Sequence, residues 1–281
     1  MRIHQIYTGS NLRNFTYVIH SEDGERVYCI DPYDAGQVAD FLDARGLRLT
    51  HIINTHEHHD HINGNPGLLE RYGETAVRVC AHEAICGMIP GFDQGVAAGD
   101  RLPIEEGAYF EALDTPGHSR AHVCLLLRDR QSEERAPQDA RQAPAAVFTG
   151  DILFNAGVGR CNIGGTPEAL FETIRDQFQI LADSVKVYPG HEYMGNNLRF
   201  TLEYEPENQA ARRLLNEYET AIAAGRYIVS DLGLERAMNT FLRLDSPDLR
   251  RELGRRFARL DARGASERDI FLQLRRLRDD W

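Results

Sequence analysis

The stretch Thr55-His56-Glu57-His58-His59-Asp60-His61 places four histidines and two carboxylates within seven residues. Imidazole is the commonest protein ligand for metal ions near neutral pH, and carboxylates bind many of the same divalent ions. The alternative interpretation is a polar surface loop that happens to be rich in histidine. The stretch follows the β-branched run 50–54 and precedes the turn formers 64–67, so we predict a strand that ends in a loop. Polar groups at such strand ends commonly form functional sites, which favours a metal site.

The spacing within this stretch indicates two sets of ligands. His56 and His58 are two residues apart and can point the same way from an extended backbone. Asp60 and His61 follow after the chain turns. We therefore expect the first pair to serve one ion and the second pair another.

The composition is that of an ordinary globular protein. The 281 residues are 42% hydrophobic and 27% charged, enough for one large domain or for a large and a small one. The net charge of −11 disfavours nonspecific binding to nucleic acid or to anionic membranes. We expect no nucleic-acid partner and no membrane association.

The cysteines indicate a reducing compartment. The five cysteines are odd in number and show no CxxC spacing. Several lie in apolar runs, which is typical of buried thiols. The N-terminal residues lack the apolar core of a signal peptide, and no apolar run is long enough for a membrane span. A cytoplasmic location is therefore expected.

The order of predicted elements divides the chain near residue 195. Up to there, strands alternate with helices, and the polar stretch 129–144 is expected to be an exposed, mobile loop. After it, the sequence favours helices with little β signal. We predict a mixed β/α domain over 1–194 and a helical domain over 195–281. The four helical candidates in the latter are 208–224, 231–239, 248–260 and 265–280.

Three later strands each end in a glycine-containing turn that carries a ligand-type side chain: His118, Asp151 and His191. Taken singly, each would more simply be a capping or hydrogen-bonded polar residue. Their recurrence favours a shared metal centre. The sets that follow are His56, His58 and His118 for one ion, Asp60, His61 and His191 for a second, and Asp151 as a bridge. Two ions that share a carboxylate and a water make hydroxide available near neutral pH and polarise a carbonyl.

This ligand pattern resembles the metallo-β-lactamase superfamily. Within it, the stretches 189–193, 196–200 and 205–208, and the ending 239–243 and 274–279, resemble glyoxalase II, the hydroxyacylglutathione hydrolases. The resemblance implies an α+β fold, in which residues 1–194 are a catalytic domain with an αββα sandwich and residues 195–281 are a C-terminal helical domain that helps bind the substrate. It also implies two divalent ions per chain, with zinc preferred and iron or manganese acceptable, and a glutathione thioester as substrate.

The resemblance also implies residues that hold the substrate. Tyr193, Arg275 and Arg278 match positions that bind the glutathione moiety, and Arg160 matches a basic position near its glycine carboxylate. Asn162 stands where many relatives carry an aromatic residue, usually Tyr. Arginine pairs bidentately with carboxylates. These cations would therefore supply the positive charge that an anionic substrate needs in an otherwise acidic protein. By their pattern alone, Arg275 and Arg278 would be an ordinary solvated helix face.

Four further polar residues near the motif have weaker assignments. Glu57 and His59 are not expected to be ligands, because alternation turns both away from the metals. Asp31 and His122 are candidates to orient ligand imidazoles through hydrogen bonds, although either could equally be a satisfied polar group of the core.

The leading hypothesis is a thioester hydrolase in which metal-bound hydroxide, oriented by Asp60, attacks S-D-lactoylglutathione and releases D-lactate and glutathione, a step of methylglyoxal detoxification. A glutathione persulfide dioxygenase with a single iron is the second hypothesis, and its two-histidine, one-aspartate site would leave the second ligand set unused. Another hydrolase on the same scaffold and a non-catalytic binding protein are the remaining alternatives. We expect a monomer or a small homo-oligomer.

Overall fold

The computed structural model describes residues 1–135, 143–257 and 264–281. Its strands are β1 (Arg2–Tyr7), β2 (Phe15–His20), β3 (Val27–Ile30), β4 (His51–Ile53), β5 (Arg78–His82), β6 (Gln94–Val96), β7 (Arg101–Glu105), β8 (Ala108–Asp114), β9 (Val123–Asp129), β10 (Ala146–Gly150), β11 (Leu153–Phe154), β12 (Gly157–Val158), β13 (Lys186–Pro189) and β14 (Ser230–Asp231).

Helices lie between and after these strands. The α-helices are α1 (Ala35–Asp43), α2 (His59–Ile62), α3 (Asn65–Tyr72), α4 (Arg130–Arg135), α5 (Pro167–Thr173), α6 (Met194–Tyr204), α7 (Gln209–Ala223), α8 (Leu232–Met238), α9 (Pro247–Arg256) and α10 (Glu267–Asp280). Short 3₁₀-helices span Glu83–Met88 and Thr240–Leu242, and a π-helical turn spans Ile174–Phe178. No helix in the described ranges is long and apolar enough to cross a membrane.

The strands form two large mixed sheets. The first has the order β1-β2-β3-β4-β5-β6, in which the pairs from β3 to β6 are parallel. The second has the order β14-β13-β10-β9-β8-β7, in which β10 and β13 are parallel. In both sheets, the parallel strands end at one edge, where their following loops can meet.

The inner faces of the two sheets pack against each other. Successive side chains of a strand point to opposite faces, so Phe15, Tyr17 and Ile19 of β2 enter the core between the sheets while Val18 faces outward. From the second sheet, β9 contributes Leu125 and Leu127 to this core. The sandwich thus follows from alternating apolar residues on strands that are buried on both faces.

Helices cover both outer faces. On the first sheet, Val38 and Leu42 of α1 and Leu68 of α3 pack against strand residues. On the second sheet, the covering helices include α5, α6, α9 and α10. The layers are therefore helix, sheet, sheet, helix, which confirms the αββα sandwich with C-terminal helices.

Three sequence expectations were wrong or incomplete. The turn formers 64–67 begin helix α3, because Pro66 fits the first turn of a helix, where its missing N–H is not needed. The stretch 129–144, expected to be a loop, contains helix α4, and its residues 136–142 lie outside the described residues. Helix α6 was not among the four C-terminal candidates, because Asn196, Asn197 and Thr201 weaken its helical signal.

The four predicted C-terminal helices are present as α7 to α10, except that 258–260 lie outside the described residues. A polar residue precedes each helix, and its side chain accepts a hydrogen bond from a backbone N–H of the first turn. These capping residues are Asn208, Asp231, Ser246 and Ser266. Such caps set where each helix begins.

A buried carboxylate connects α8 to the strands. Glu235 Oε1 accepts hydrogen bonds from Ser230 Oγ (2.6 Å) and Asn155 Nδ2 (3.2 Å), and Oε2 accepts from the Ala156 N–H (2.8 Å) and Asn239 Nδ2 (3.2 Å). Burial nevertheless raises the pKa of Glu235 from 4.5 to about 7, since the charged form is desolvated. In the ionised form, both oxygens of Glu235 accept, at the centre of four donors.

We predict that Glu235→Gln lowers the free energy of unfolding by about 1–3 kcal/mol at pH 6, because the amide NH₂ brings two hydrogens among four donors, whereas the protonated carboxyl of the wild type brings one. Between the ordinary pKa and about 7, the folded chain binds more protons at Glu235 than the unfolded chain does. The stabilisation by wild-type Glu235 is therefore lost as the pH rises, and the deficit of the variant should shrink from pH 5 to pH 8. Urea unfolding measures both effects, with Glu207→Gln at an exposed position as the control. Equal stability of the two variants would contradict the prediction.

Candidate metal centre

The candidate ligands lie just beyond four strand ends at one edge of the sandwich. The histidine-rich stretch follows β4, and His118 follows β8 after a short loop. Asp151 directly follows β10, and His191 is two residues beyond β13. Distant parts of the sequence therefore meet where the sheets end.

The first cluster consists of three imidazoles. His56 Nε2 lies 3.0 Å from His58 Nδ1, and His118 Nε2 lies 2.8 Å from the same atom. His56 is fully buried and His118 nearly so. Three ring nitrogens thus converge on one point, in a group that could hold a metal ion.

The second cluster consists of Asp60, His61 and His191. His61 Nε2 and His191 Nε2 are 3.2 Å apart, and Asp60 Oδ2 lies 3.5 Å from the former and 3.4 Å from the latter. Two nitrogens and one carboxylate oxygen again converge, which is a donor set suited to zinc, iron or manganese.

Asp151 lies between the two clusters. Its Oδ2 is 3.5 Å from His118 Nε2 and 3.3 Å from His191 Nε2, while its Oδ1 is 3.4 Å from His61 Nε2. Oδ1 is buried and has no hydrogen-bond partner among the described residues. A buried oxygen without a partner is unfavourable unless a cation satisfies it. Together, the clusters are suited to a binuclear metal site, and Asp151 lies between them.

The second nitrogen of each imidazole is held by a hydrogen bond, which directs the first nitrogen towards its cluster. The Nδ1–H groups of His118 and His191 donate to the carbonyls of Arg160 (2.6 Å) and Leu12 (2.8 Å). His58 Nε2–H donates to a third carbonyl, that of Ile163 (3.2 Å).

The remaining two imidazoles are oriented by side chains. His61 Nδ1–H donates to Asp31 Oδ2 at 2.9 Å, and His56 Nδ1–H donates to Thr55 Oγ1 at 2.9 Å. His122, the other residue considered for such a role, accepts a hydrogen bond from the Asp151 N–H at 3.2 Å. Asp31 therefore orients a cluster imidazole, whereas His122 supports the backbone of Asp151.

Charges around the clusters favour a cation. Burial lowers the pKa of His56 well below its usual value, which leaves the neutral imidazole that binds metal ions. Burial also lowers the pKa of His61, but the carboxylates of Asp151 and Asp31 outweigh it and raise that pKa to about 10. The imidazoles of His191, His61 and His118 outweigh burial at Asp151 and lower the pKa of its carboxyl well below the usual range.

Two glycines allow the close approach of the ligand loops. A Cβ at Gly190 would lie 2.5 Å from Asp151 Oδ1 and 2.9 Å from His61 Cε1. Gly150 has a φ of +46°, and a Cβ there would lie 2.6 Å from Thr55 Oγ1. Both positions therefore require glycine if the ligands are to meet.

Glu57 and His59 lie outside the clusters, as alternation predicts. His59 is exposed, and Glu57 is half-buried with an Oε2 that has no hydrogen-bond partner within the described ranges.

A cavity of about 460 Å³ opens beside the clusters. Four of the candidate ligands line it: Asp60, His118, Asp151 and His191. All five predicted substrate residues line it as well: Arg160, Asn162, Tyr193, Arg275 and Arg278. Its size is within the range of clefts that take small molecules.

Arg275 is not the solvated side chain that its helix pattern suggests. It is only 2% exposed, and its Nη1 donates to the carbonyls of Val158 and Gly159, both at 3.0 Å. Its Nη2 pairs with Asp279 at 3.1 Å. The guanidinium thereby fixes the loop that follows β12.

The other cationic side chains are more accessible. Arg160 is 58% exposed and pairs with Asp279 through Nε at 3.3 Å. Arg278 is half-buried, donates to Asn197 Oδ1 at 3.3 Å and lies 5.1 Å from the centre of the Trp281 ring system. Tyr193 stacks on His191 with ring centres 4.8 Å apart.

Sequence reasoning missed Asn14. Its side chain is 1% exposed and donates from Nδ2 to Asp60 Oδ2 at 2.8 Å and to the Asp60 carbonyl at 3.2 Å. The residue lies in the β1–β2 loop, far from the histidine motif in sequence. No local pattern indicates this contact, because it exists only once the loop folds back over the strand ends.

Two family models match the chain. The metallo-β-lactamase superfamily matches residues 11–131, and the C-terminus of hydroxyacylglutathione hydrolase matches residues 192–281.

The fold has solved relatives. A crystal structure of ETHE1 from Myxococcus xanthus has a TM-score of 0.63 and 23% identity, over 98% of this chain and 90% of that one. A crystal structure of TTHA1623 in a di-iron-bound form has a TM-score of 0.57 and 24% identity, over 85% of this chain and 100% of that one. At such identities, the likeness establishes the fold alone.

A curated relative is much more similar. The hydroxyacylglutathione hydrolase of Nitrosococcus oceani is 40% identical over 281 residues, which is the whole of both chains. Identity at this level over the full length, together with the matches to both family models, confirms the resemblance. The chain belongs to the hydroxyacylglutathione hydrolase family of the metallo-β-lactamase superfamily.

Proposed function

We propose that the chain is a metal-dependent thioester hydrolase that cleaves S-D-lactoylglutathione, or a related acyl-glutathione, to the hydroxy acid and glutathione. The observation that carries this proposal is a single cavity that joins two metal-type clusters to arginine side chains. The name of the relative from Nitrosococcus oceani supports the same substrate class.

The proposed ligands are His56, His58 and His118 for one ion and Asp60, His61 and His191 for the other, with Asp151 shared. The convergent nitrogens and the unpartnered Asp151 Oδ1 fit two cations. Zinc is the preferred metal for this nitrogen and oxygen donor set, and iron and manganese are alternatives. When bound, such ions lower the pKa of a water and polarise a carbonyl.

The residues around the clusters have supporting roles in this proposal. Asp60 is one fifth exposed at the cavity and would orient the attacking water. Asn14 would hold the Asp60 carboxylate, because it donates to Oδ2 and to the backbone of the same residue. A fixed carboxylate places the reacting water without reorganisation.

The arginines and Tyr193 would bind the thiol portion. Arg160 and Arg278 are the cations with accessible surface in the cavity, and guanidinium groups suit the carboxylates of glutathione. We assign buried Arg275 to positioning the loop, since its Nη1 already engages two carbonyls and its Nη2 engages Asp279. Asn162 offers an amide for the peptide portion in place of an aromatic ring.

We propose that residues 1–194 form the catalytic domain and residues 195–281 the helical, substrate-binding domain. The free state of the five cysteines supports a reducing, cytoplasmic location. A monomer or a small homo-oligomer remains the expected assembly.

The purified chain should contain two metal ions and should hydrolyse S-D-lactoylglutathione. His191→Ala should retain about one ion and lose about a hundredfold or more in kcat, since even outer-shell partners of a metal contribute 10–100-fold. Metal analysis beside a thioester assay tests both, with exposed His59→Ala as the control that keeps both ions. One iron per chain with oxygen uptake on glutathione persulfide would instead support the dioxygenase alternative.

Asn14→Ala should weaken retention of the second ion and lower kcat about 10–100-fold, because Asp60 loses its orienting donor. Titration with a chelator, followed by metal analysis, measures retention. Asn63→Ala, at an exposed asparagine, is the matched control. Unchanged retention in Asn14→Ala would remove the proposed positioning role.

Arg278→Ala should raise KM for the glutathione thioester about tenfold, with a smaller change in kcat, because it removes a charge-assisted contact distant from the reacting carbonyl. Exposed Arg276, two residues away on the same helix, does not line the cavity, so Arg276→Ala should leave KM unchanged. Steady-state kinetics distinguishes the two variants. Equal KM values would assign Arg278 to the helix surface.

A further inference from the structure

Asn197 of α6 contacts both the cavity and the hairpin formed by β11 and β12. Its side chain is only 4% exposed, yet it lines the cavity. Its Nδ2 donates to the Asn155 carbonyl, between the two strands of the hairpin, at 2.9 Å. Its Oδ1 accepts from Arg278 Nη2 at 3.3 Å. The amide therefore connects the hairpin to a cation of the cavity.

The orientation of this amide is fixed by its surroundings. The Asn155 carbonyl can only accept a hydrogen bond, so the NH₂ group of Asn197 has to face it. The other end of the amide, Oδ1, is then directed at the guanidinium of Arg278. Gly157 lies against the amide, since a Cβ there would be 2.6 Å from both Cγ and Nδ2 of Asn197. A buried amide that is bonded at both ends keeps one orientation.

The contact with Asn197 leaves the charge of Arg278 uncancelled. Arg160 and Arg275 both pair with Asp279. Among the described residues, Arg278 forms no ion pair, and its acceptor is the neutral oxygen of Asn197. A neutral acceptor orients a guanidinium while the positive charge stays available to an anionic ligand.

Two aromatic rings hold Arg278 at the cavity but give it no direction. Its guanidinium carbon is 5.7 Å from the centre of the Phe200 ring and 5.1 Å from that of the Trp281 ring system. The attraction between a cation and a ring face depends mainly on this distance, and little on how the guanidinium is turned in its own plane. The hydrogen bond to Asn197 is the contact that selects which N–H groups face the cavity.

We propose that Asn197 is a positioning residue that presents the guanidinium of Arg278 to a carboxylate of the thiol portion of the substrate. This inference rests on the proposed hydrolysis of a glutathione thioester. A guanidinium that is held at Nη2 offers its other N–H groups in fixed directions, which suits bidentate binding of a carboxylate. An arginine without this contact would have to be ordered at each binding event, and the lost side-chain entropy would weaken binding.

The first test is a double-mutant cycle with S-D-lactoylglutathione on the metal-loaded full chain. Asn197→Ala should raise KM about fivefold and change kcat less than about twofold, because the residue acts on a group that binds substrate away from the reacting carbonyl. In an Arg278→Ala background, the same change should alter KM less than about twofold, since no guanidinium is left to orient. Asn196→Ala, at the exposed neighbour on α6, is the matched control and should leave KM unchanged.

A second variant moves the amide without removing it. Gly157→Ala places a methyl group where the Asn197 amide now lies, so the amide has to shift. Gly157 is outside the left-handed region of φ, so its backbone accommodates alanine. Gly157→Ala and Asn197→Ala should therefore weaken binding of S-methylglutathione by similar factors, about fivefold, while Asn196→Ala does not. Calorimetry measures these affinities directly, independently of turnover.

Three results would overturn the positioning role. The first is an affinity in both variants equal to that of Asn196→Ala. The second is an additive effect of Asn197→Ala and Arg278→Ala on KM. The third is a loss of metal, or a fall in kcat as large as the rise in KM, in Asn197→Ala, because the amide would then only support the fold of the hairpin. A wild-type chain that leaves S-D-lactoylglutathione intact would overturn the proposed function instead, and the affinities for S-methylglutathione would still decide the role of Asn197.

Discussion

The carboxylate of Asp31 holds one histidine of each cluster. Its Oδ1 accepts from the Thr55 N–H, and its Oδ2 accepts from Thr55 Oγ1 and from His61 Nδ1. Thr55 Oγ1 in turn accepts from His56 Nδ1. The distance between the clusters is thus set by one buried side chain at the end of β3. The backbone there has a φ of +50°, a conformation that aspartate tolerates better than most residues.

The fold and the convergence of the candidate ligands were largely predictable, because each depends on patterns within short stretches. Alternating apolar residues indicate the strands, and ligand-type residues after glycine turns indicate His118, Asp151 and His191. Helix α3 was missed because its first residues are turn formers, which also begin helices. The resemblance to glyoxalase II is confirmed, while the ligand roles and the domain boundary stay predictions.

Contacts between distant segments could not be predicted. Nothing in the sequence around Asn14 indicates that its amide reaches Asp60, 46 residues away. The burial of Arg275 could not be predicted either, because α10 carries several arginines and most of the residues beside them in the sequence are not buried. Which arginine turns inward depends on how α10 packs against the loop after β12. That packing cannot be read from a single sequence.

The contact between Arg275 and the carbonyls of Val158 and Gly159 affects the order in which the site is completed. The loop that it fixes continues into Arg160 and Ile163, whose carbonyls orient His118 and His58. Helix α10 follows every candidate ligand in the sequence. The geometry of the first cluster therefore depends on a segment that is synthesised after all of its histidines, because Arg275 can hold this loop only once α10 has docked.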